Sequence, residues 1–309
     1  MINIKIGKNQ YPLTLAEEHN FDWLKDVEVF TVFDQQDSGN ISFGIIENGK
    51  RYFLKYAGAR NLEYKGKIED AIQRLMKAKE VYEQIQHPLL VPYINPIQMQ
   101  NGFCLRFHWI DGECMHNHWD FTPFEKHHAP NSPFVKLRQL SVTERLNILT
   151  QIFEFAAYVE SLGYVMVDFY YGSILYNFEQ SKLTICDIDF FQKKPVFNKV
   201  GEDFWGAGRF KAPEEYELHA QITSETNVFV LAGIAFAFIG GKNDKSYEKW
   251  ESTLELYNIR KKALHKEKNK RYRTVQAFYE DWLAYIGEID GSFSQRINSI
   301  SVNRGENTK

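Results

Sequence analysis

Residues 164–191 place acidic side chains at the ends of short apolar runs. Asp168 follows Val165 and Val167, the run Ile174-Leu175-Tyr176 comes next, and after a polar turn at 177–182 the run Leu183-Thr184-Ile185-Cys186 delivers Asp187. This alternation predicts a hairpin with both carboxylates near one edge. Two carboxylates at close range disfavour each other's ionisation unless they share a cation or a proton. The pattern therefore points to metal binding or proton handling, set against the plainer reading of a hairpin with solvated acidic ends.

Other elements must hold those acids in place. Residues 1–57 read as strands, with segments at 26–33, 41–46 and 51–57, the last two joined through Asn48-Gly49. Asn101-Gly102 joins 94–98 to 103–109 in the same way, and the total is an antiparallel sheet of about five strands. Between the hairpins, Ala71, Leu75, Ala78, Tyr82 and Ile85 form one stripe of a helix over 68–86, stopped by His87-Pro88. Residues 111–140 carry three prolines and no apolar period, and read as a loop. Ser141 and Glu144 match a capping box opening a helix that ends near Gly163. Ala212-Pro213-Glu214-Glu215 reads as a helix start. Val228–Ile239 is apolar all round and hence a buried helix, and 246–265 and 274–285 are amphipathic. The last ten or so residues are expected to be disordered.

The chain has 309 residues, 44% hydrophobic and 15% aromatic, which allows a large core and two lobes. Its net charge of −3 gives no electrostatic footprint for nucleic acid. Three cysteines without framework spacing suit a reducing compartment. The first residues alternate like a strand and lack the features of a signal peptide, and the apolar run at 228–239 is too short to span a bilayer. The expectation is a cytoplasmic protein with no membrane partner.

Over residues 27–287 the order of elements and four motifs resemble the protein-kinase-like superfamily, in particular a divergent bacterial-type serine/threonine protein kinase. Phe53-Leu54-Lys55 resembles the strand whose lysine holds the α- and β-phosphates of ATP. Asp37 to Gly44 stands at the glycine-rich loop and keeps part of its spacing, with Gly39 and Asn40 at the phosphates. Phe107 to Glu113 resembles the hinge, where His108, Trp109 and Ile110 would meet the adenine. Ala212-Pro213-Glu214 is similar to the anchor that ends an activation segment, and the resemblance pairs Glu214 with Arg271.

The resemblance implies an α+β, two-lobed protein-kinase-like fold. Residues 1–110 would form a small antiparallel β lobe with one helix and the hinge, 111–290 a larger, mostly helical lobe, and 291–309 a polar tail. It implies an ATP-dependent, magnesium-requiring phosphotransferase acting on a protein or small-molecule hydroxyl. Lys55 would orient the phosphates, Asp168 would accept or align the hydroxyl proton, Asp187 would hold the metal and Ser173 would offer a second ligand. Asp168, Asp187 and Lys55 would serve one site.

The departures are specific. Val167 replaces the arginine that often precedes the catalytic aspartate, and no Ser, Thr or Tyr occurs from Asp187 to Glu214, so the segment is not switched by phosphorylation. Tyr170 replaces the catalytic-loop lysine, Ser173 the metal-binding asparagine, and Asp187-Ile188-Asp189 the usual Asp-Phe-Gly, with Asp189 offering an additional oxygen. The helix position facing Lys55 falls at Ala78, and Glu80 reaches it only with a shifted register. These departures admit a pseudokinase that binds nucleotide or a partner without turnover. An aminoglycoside-type small-molecule phosphotransferase and a nucleotide-independent scaffold are the further alternatives. Cys114, His116, His118, His127 and His128 have ligand types suited to zinc or nickel, in a spacing that matches no recognised zinc pattern.

Overall fold

A computed structural model describes residues 1–241 and 244–289, so the polar tail expected at 291–309 lies outside the described residues. The protein is α+β. By their contacts the residues fall into two compact units, Met1–Pro133 with Gly172–Phe191, and Phe134–Tyr171 with Gln192 onward.

The first unit is built on a five-stranded antiparallel sheet, as the two Asn-Gly turns predict. Strands β1 (Ile2–Ile6) and β2 (Tyr11–Leu15) form a separate hairpin. The sheet itself comprises β3 (Glu28–Phe33), β4 (Asn40–Glu47), β5 (Lys50–Ala57), β6 (Tyr93–Met99) and β7 (Gly102–His108), in the order β3-β4-β5-β7-β6. Asn48 and Gly49 both take positive φ, +51° and +73°, the twist that a two-residue hairpin requires. One face of the sheet, with Ile41, Phe43, Ile45, Leu54 and Tyr56, packs into a core with Ile6, Leu13 and Leu15 of the first hairpin. Side chains alternate along a strand, so Lys55 belongs to the other face. Helix α1 (Ile68–Gln84) buries the predicted Ala71, Leu75, Ala78 and Tyr82.

After α1, the backbone of Leu89 to Val91 grips Ile185 from both sides: Ile185 N–H donates to Leu89 O at 2.6 Å and Val91 N–H to Ile185 O at 2.8 Å. Ile185 ends the expected hairpin, β9 (Ile174–Asn177) against β10 (Lys182–Ile185), with β8 (Glu113–Cys114) on its far edge. The hairpin is thereby fastened to the unit that carries the five-stranded sheet. Residues 111–140 are not the continuous loop expected. Besides β8 they form helical segments at Glu125–His128 and Pro133–Gln139, the second with its proline at the first helical position, where the missing N–H costs nothing.

In the second unit, α2 (Val142–Ser161) begins on the predicted cap, with Ser141 Oγ accepting from Glu144 N–H at 3.2 Å and the Glu144 carboxylate accepting from Ser141 N–H at 3.0 Å. α3 (Ser224–Ile239) is buried along nearly its whole length. Phe153 of α2 meets Phe278 and Trp282 of α5 (Val275–Ile289) at 4.9 and 5.0 Å. The single helix expected over 246–265 is instead a short turn at Tyr247–Lys249 followed by α4 (Leu254–Ala263), because Thr253 caps a new start by accepting from Leu256 N–H. No helix among the described residues is long and apolar enough to cross a membrane.

Candidate active site

Lys55 lies near the middle of β5, opposite Ser42 of β4 and Leu105 of β7. Its Nζ stands 2.6 Å from Asp187 Oδ1 and 2.7 Å from Asp189 Oδ2. The helix position expected to face Lys55 falls at Ala78, or at Glu80 with a shifted register. Ala78 is buried and has no carboxylate, and Glu80 lies on the exposed face of α1. The helix residue that enters the cluster is Tyr82, which donates its hydroxyl to Asp189 Oδ1 at 2.9 Å and accepts from Ile188 N–H at 3.2 Å.

The two carboxylates are not equivalent. The Asp187 side chain is 46% exposed and that of Asp189 only 6%. Asp187 lies two residues beyond the gripped Ile185 and takes a positive φ of +55°, uncommon for a residue with a side chain. Burial works against the charge on Lys55, but Asp187 and then Asp189 outweigh it and hold the ammonium above its ordinary pKa. Burial pushes the Asp189 carboxyl up; Lys55 opposes this and Asp187 adds to it, leaving Asp189 above the ordinary carboxylate value. One ammonium faces two carboxylates, so with all three ionised the cluster carries one net negative charge. A cation arriving at the exposed Asp187 is favoured by that excess.

Two further hydroxyls near these positions are unsatisfied. Ser173 Oγ and Ser42 Oγ are buried with no hydrogen-bond partner among the described residues. Ser173 immediately precedes β9 and its carbonyl accepts from Cys186 N–H at 2.9 Å, which sets it one cross-strand step from Asp187. Buried orphan hydroxyls cost free energy and call for a missing partner. Ser42 and Tyr82 escaped the sequence reading. The only signal for either is a polar group at a position whose strand or helix face points to Lys55.

The other expected contacts are distributed as follows. Gly39 (φ +81°) and Asn40 lie where the β3–β4 turn enters β4, and this turn is tied down rather than open. Asn61 Nδ2 donates to Gln36 O and Asn40 O, Arg74 donates to Ser38 O, and the Tyr64 ring packs beneath Gly39. At the hinge-like segment, His108 N–H donates to Pro92 O and Trp109 N–H to Arg51 O, so Ile110 supplies the next backbone donor in line. A cleft of about 100 Å³ borders Trp109, Ile110 and Leu175, far smaller than a nucleotide requires.

Asp168 lies in the second unit, half-buried with φ +61°, after the buried Val167. Two residues earlier, Met166 N–H donates to Asn227 Oδ1 of α3 at 3.2 Å, so a buried amide on the central helix fixes the backbone leading to Asp168. The expected Glu214–Arg271 pair is formed in the same unit. Arg271 Nη1 and Nη2 reach Glu214 Oε1 and Oε2 at 2.7 and 3.0 Å, fully buried on the arginine side. Among the histidines of 111–140, Lys126 Nζ lies 3.1 Å from His116 Nε2 and His118 Nε2 lies 2.8 Å from Gln35 O. No group of three or more His, Cys, Asp or Glu among the described residues could hold a metal ion. Compared with known families and curated proteins, the chain matches neither a family model nor a curated protein.

Proposed function

We propose that this protein is an ATP-dependent phosphotransferase of the two-lobed protein-kinase-like kind, transferring the γ-phosphoryl group to a hydroxyl with magnesium. One observation carries the reading: a strand lysine, Lys55, is buried against the half-exposed Asp187 at the end of a β-hairpin. Lys55 neutralises phosphate charge, Gly39 and Asn40 lie along the phosphates, and His108, Trp109 and Ile110 border the base. Asp168 accepts or aligns the proton of the acceptor hydroxyl. Rate enhancement then comes mainly from positioning and charge neutralisation.

Magnesium suits the donors present. Mg²⁺ is commonly held by one or two carboxylates and by substrate phosphates while keeping several waters, so a cage of three protein ligands is not needed. Asp187 has the exposed carboxylate and Ser173 the orphaned hydroxyl, and these two would hold the ion. When bound, it would supply neutralisation of the phosphate charge. The buried Glu214–Arg271 pair favours the protein-kinase side of the resemblance over the small-molecule phosphotransferases, which lack that anchor. Three free cysteines accord with a cytoplasmic location.

A second reading, a pseudokinase, is favoured by the double compensation of Lys55, which leaves its charge less available to phosphate. Incubation with labelled ATP and magnesium, following autophosphorylation, ATP hydrolysis and transfer to generic acceptors, separates the two. The phosphotransferase reading expects transfer that Asp168→Asn abolishes while nucleotide binding survives. Binding without turnover selects the pseudokinase, and turnover retained in Asp168→Asn removes that residue from the mechanism.

A further inference from the structure

The Lys55 cluster contains a division of labour that the motif resemblance does not supply. Asp189 is nearly buried and fixed at both oxygens: Oδ2 faces Lys55 at 2.7 Å and Oδ1 accepts from Tyr82 at 2.9 Å. Tyr82 is itself fixed, fully buried on α1, its ring 4.8 Å from Phe107 and its oxygen accepting from Ile188 N–H. Asp187 is held within the cluster through Lys55 and is half open to solvent. Surrendering the buried Asp189 to a ligand would strand the Tyr82 hydroxyl and leave Lys55 only the solvent-exposed carboxylate, whereas surrendering Asp187 leaves Lys55 its buried partner.

We infer that Asp189, clamped by the Tyr82 hydroxyl, is the standing counter-ion that positions Lys55, and that Asp187 is the exchangeable carboxylate, released from Lys55 to a divalent cation. Helix α1 thus positions the lysine through a tyrosine hydroxyl relayed by Asp189, with no glutamate of its own in contact. The inference deepens the phosphotransferase reading, and its metal step rests on that reading.

The test has two arms on the full chain. In urea unfolding, double-mutant cycles pair Lys55→Met with Asp189→Asn and with Asp187→Asn, in wild-type and Tyr82→Phe backgrounds. The expected coupling to Asp189 is about tenfold in the unfolding equilibrium, larger than that to Asp187, and reduced by Tyr82→Phe. Equal or greater coupling to Asp187, or no effect of Tyr82→Phe, overturns the assignment. In the second arm, ATP binding is titrated with and without magnesium. Asp189→Asn should weaken binding by a similar factor in both conditions, whereas Asp187→Asn should remove only the magnesium-dependent gain; the reverse pattern overturns the exchange. Wild-type protein that binds no ATP would end the nucleotide reading and with it the exchange, while the unfolding cycles would still decide what positions Lys55.

Discussion

Replacing Arg271 with alanine should destabilise the second unit more than any surface change. The guanidinium is fully buried and holds both oxygens of Glu214, at 2.7 and 3.0 Å, while also donating to the carbonyls of Glu225, His265 and Lys266. Truncation leaves a buried carboxylate with Thr226 Oγ1, at 2.8 Å, as its remaining side-chain donor. Removing one member of a buried pair costs about 3–5 kcal/mol, at least about a fifth of the roughly 5–15 kcal/mol by which an ordinary domain is stable. Urea denaturation followed by tryptophan fluorescence should show the midpoint falling by at least about 1 M.

The pH dependence supplies an internal check on that mechanism. Burial works against the Glu214 charge, but the bonds from Arg271 prevail and hold its carboxyl below the ordinary value of 4.5. A depressed carboxylate stabilises the native state above its unfolded pKa, and this contribution is lost as pH falls through the folded pKa. The gap between wild type and Arg271→Ala should therefore narrow on acidification below about 4.5, as Glu214 becomes protonated. A deficit under about 1 kcal/mol at neutral pH, or a gap that stays constant with acid, would show that the buried Glu214–Arg271 pair does not carry this stability.

Neighbouring Glu215 should show the opposite sign. Burial, aided by the charge of Glu214, pushes its carboxyl up to about 7 against the Ala212 N–H bond, so ionisation destabilises the folded state as pH rises from about 4.5 to 7. Glu215→Gln keeps an acceptor for Ala212 N–H and should gain up to about 3 kcal/mol over wild type at pH 8 but little at pH 4, measured by the same denaturation. Gly39→Ala should cost more than Gly49→Ala although both sites have positive φ. A Cβ at Gly39 would lie 2.7 Å from the Tyr64 ring, whereas at Gly49 nothing lies within 4 Å. Thermal unfolding should resolve roughly 1–3 kcal/mol at Gly39 and about 1 kcal/mol at Gly49.

Much of the scaffold was legible because local chemistry and tertiary packing agree. Asn48-Gly49 asks for the positive φ that it adopts, the stripe on 68–84 is the buried face of α1, and Ser141 with Glu144 starts the helix it signals. Where reading failed, one residue type had two uses. Proline in 111–140 signals a break in the sequence, yet Pro133 opens a helix; Thr253 interrupts an amphipathic stretch by capping a new one. Of the pair that the structure brings together, Asp187 is legible as the end of a hairpin run, and Lys55 through the strand motif that carries the resemblance. Tyr82 is hidden because its ring satisfies the apolar stripe, and only its hydroxyl, on the helix face toward Lys55, hints at a polar partner. Asp189 was weighed only as an additional metal oxygen, since its burial depends on the chain turning at Asp187, a conformation that no local pattern announces.

Lys55 and Asp187 are proposed as the phosphate and magnesium end of a nucleotide site. Isothermal titration of wild-type protein with ATP, with and without magnesium and alongside Asp187→Asn, tests it most directly. Binding should be saturable and strengthened at least about tenfold by magnesium, with that gain absent in the variant. Wild-type protein that takes up no ATP at millimolar concentration with magnesium present, or a variant whose magnesium response is intact, would contradict it.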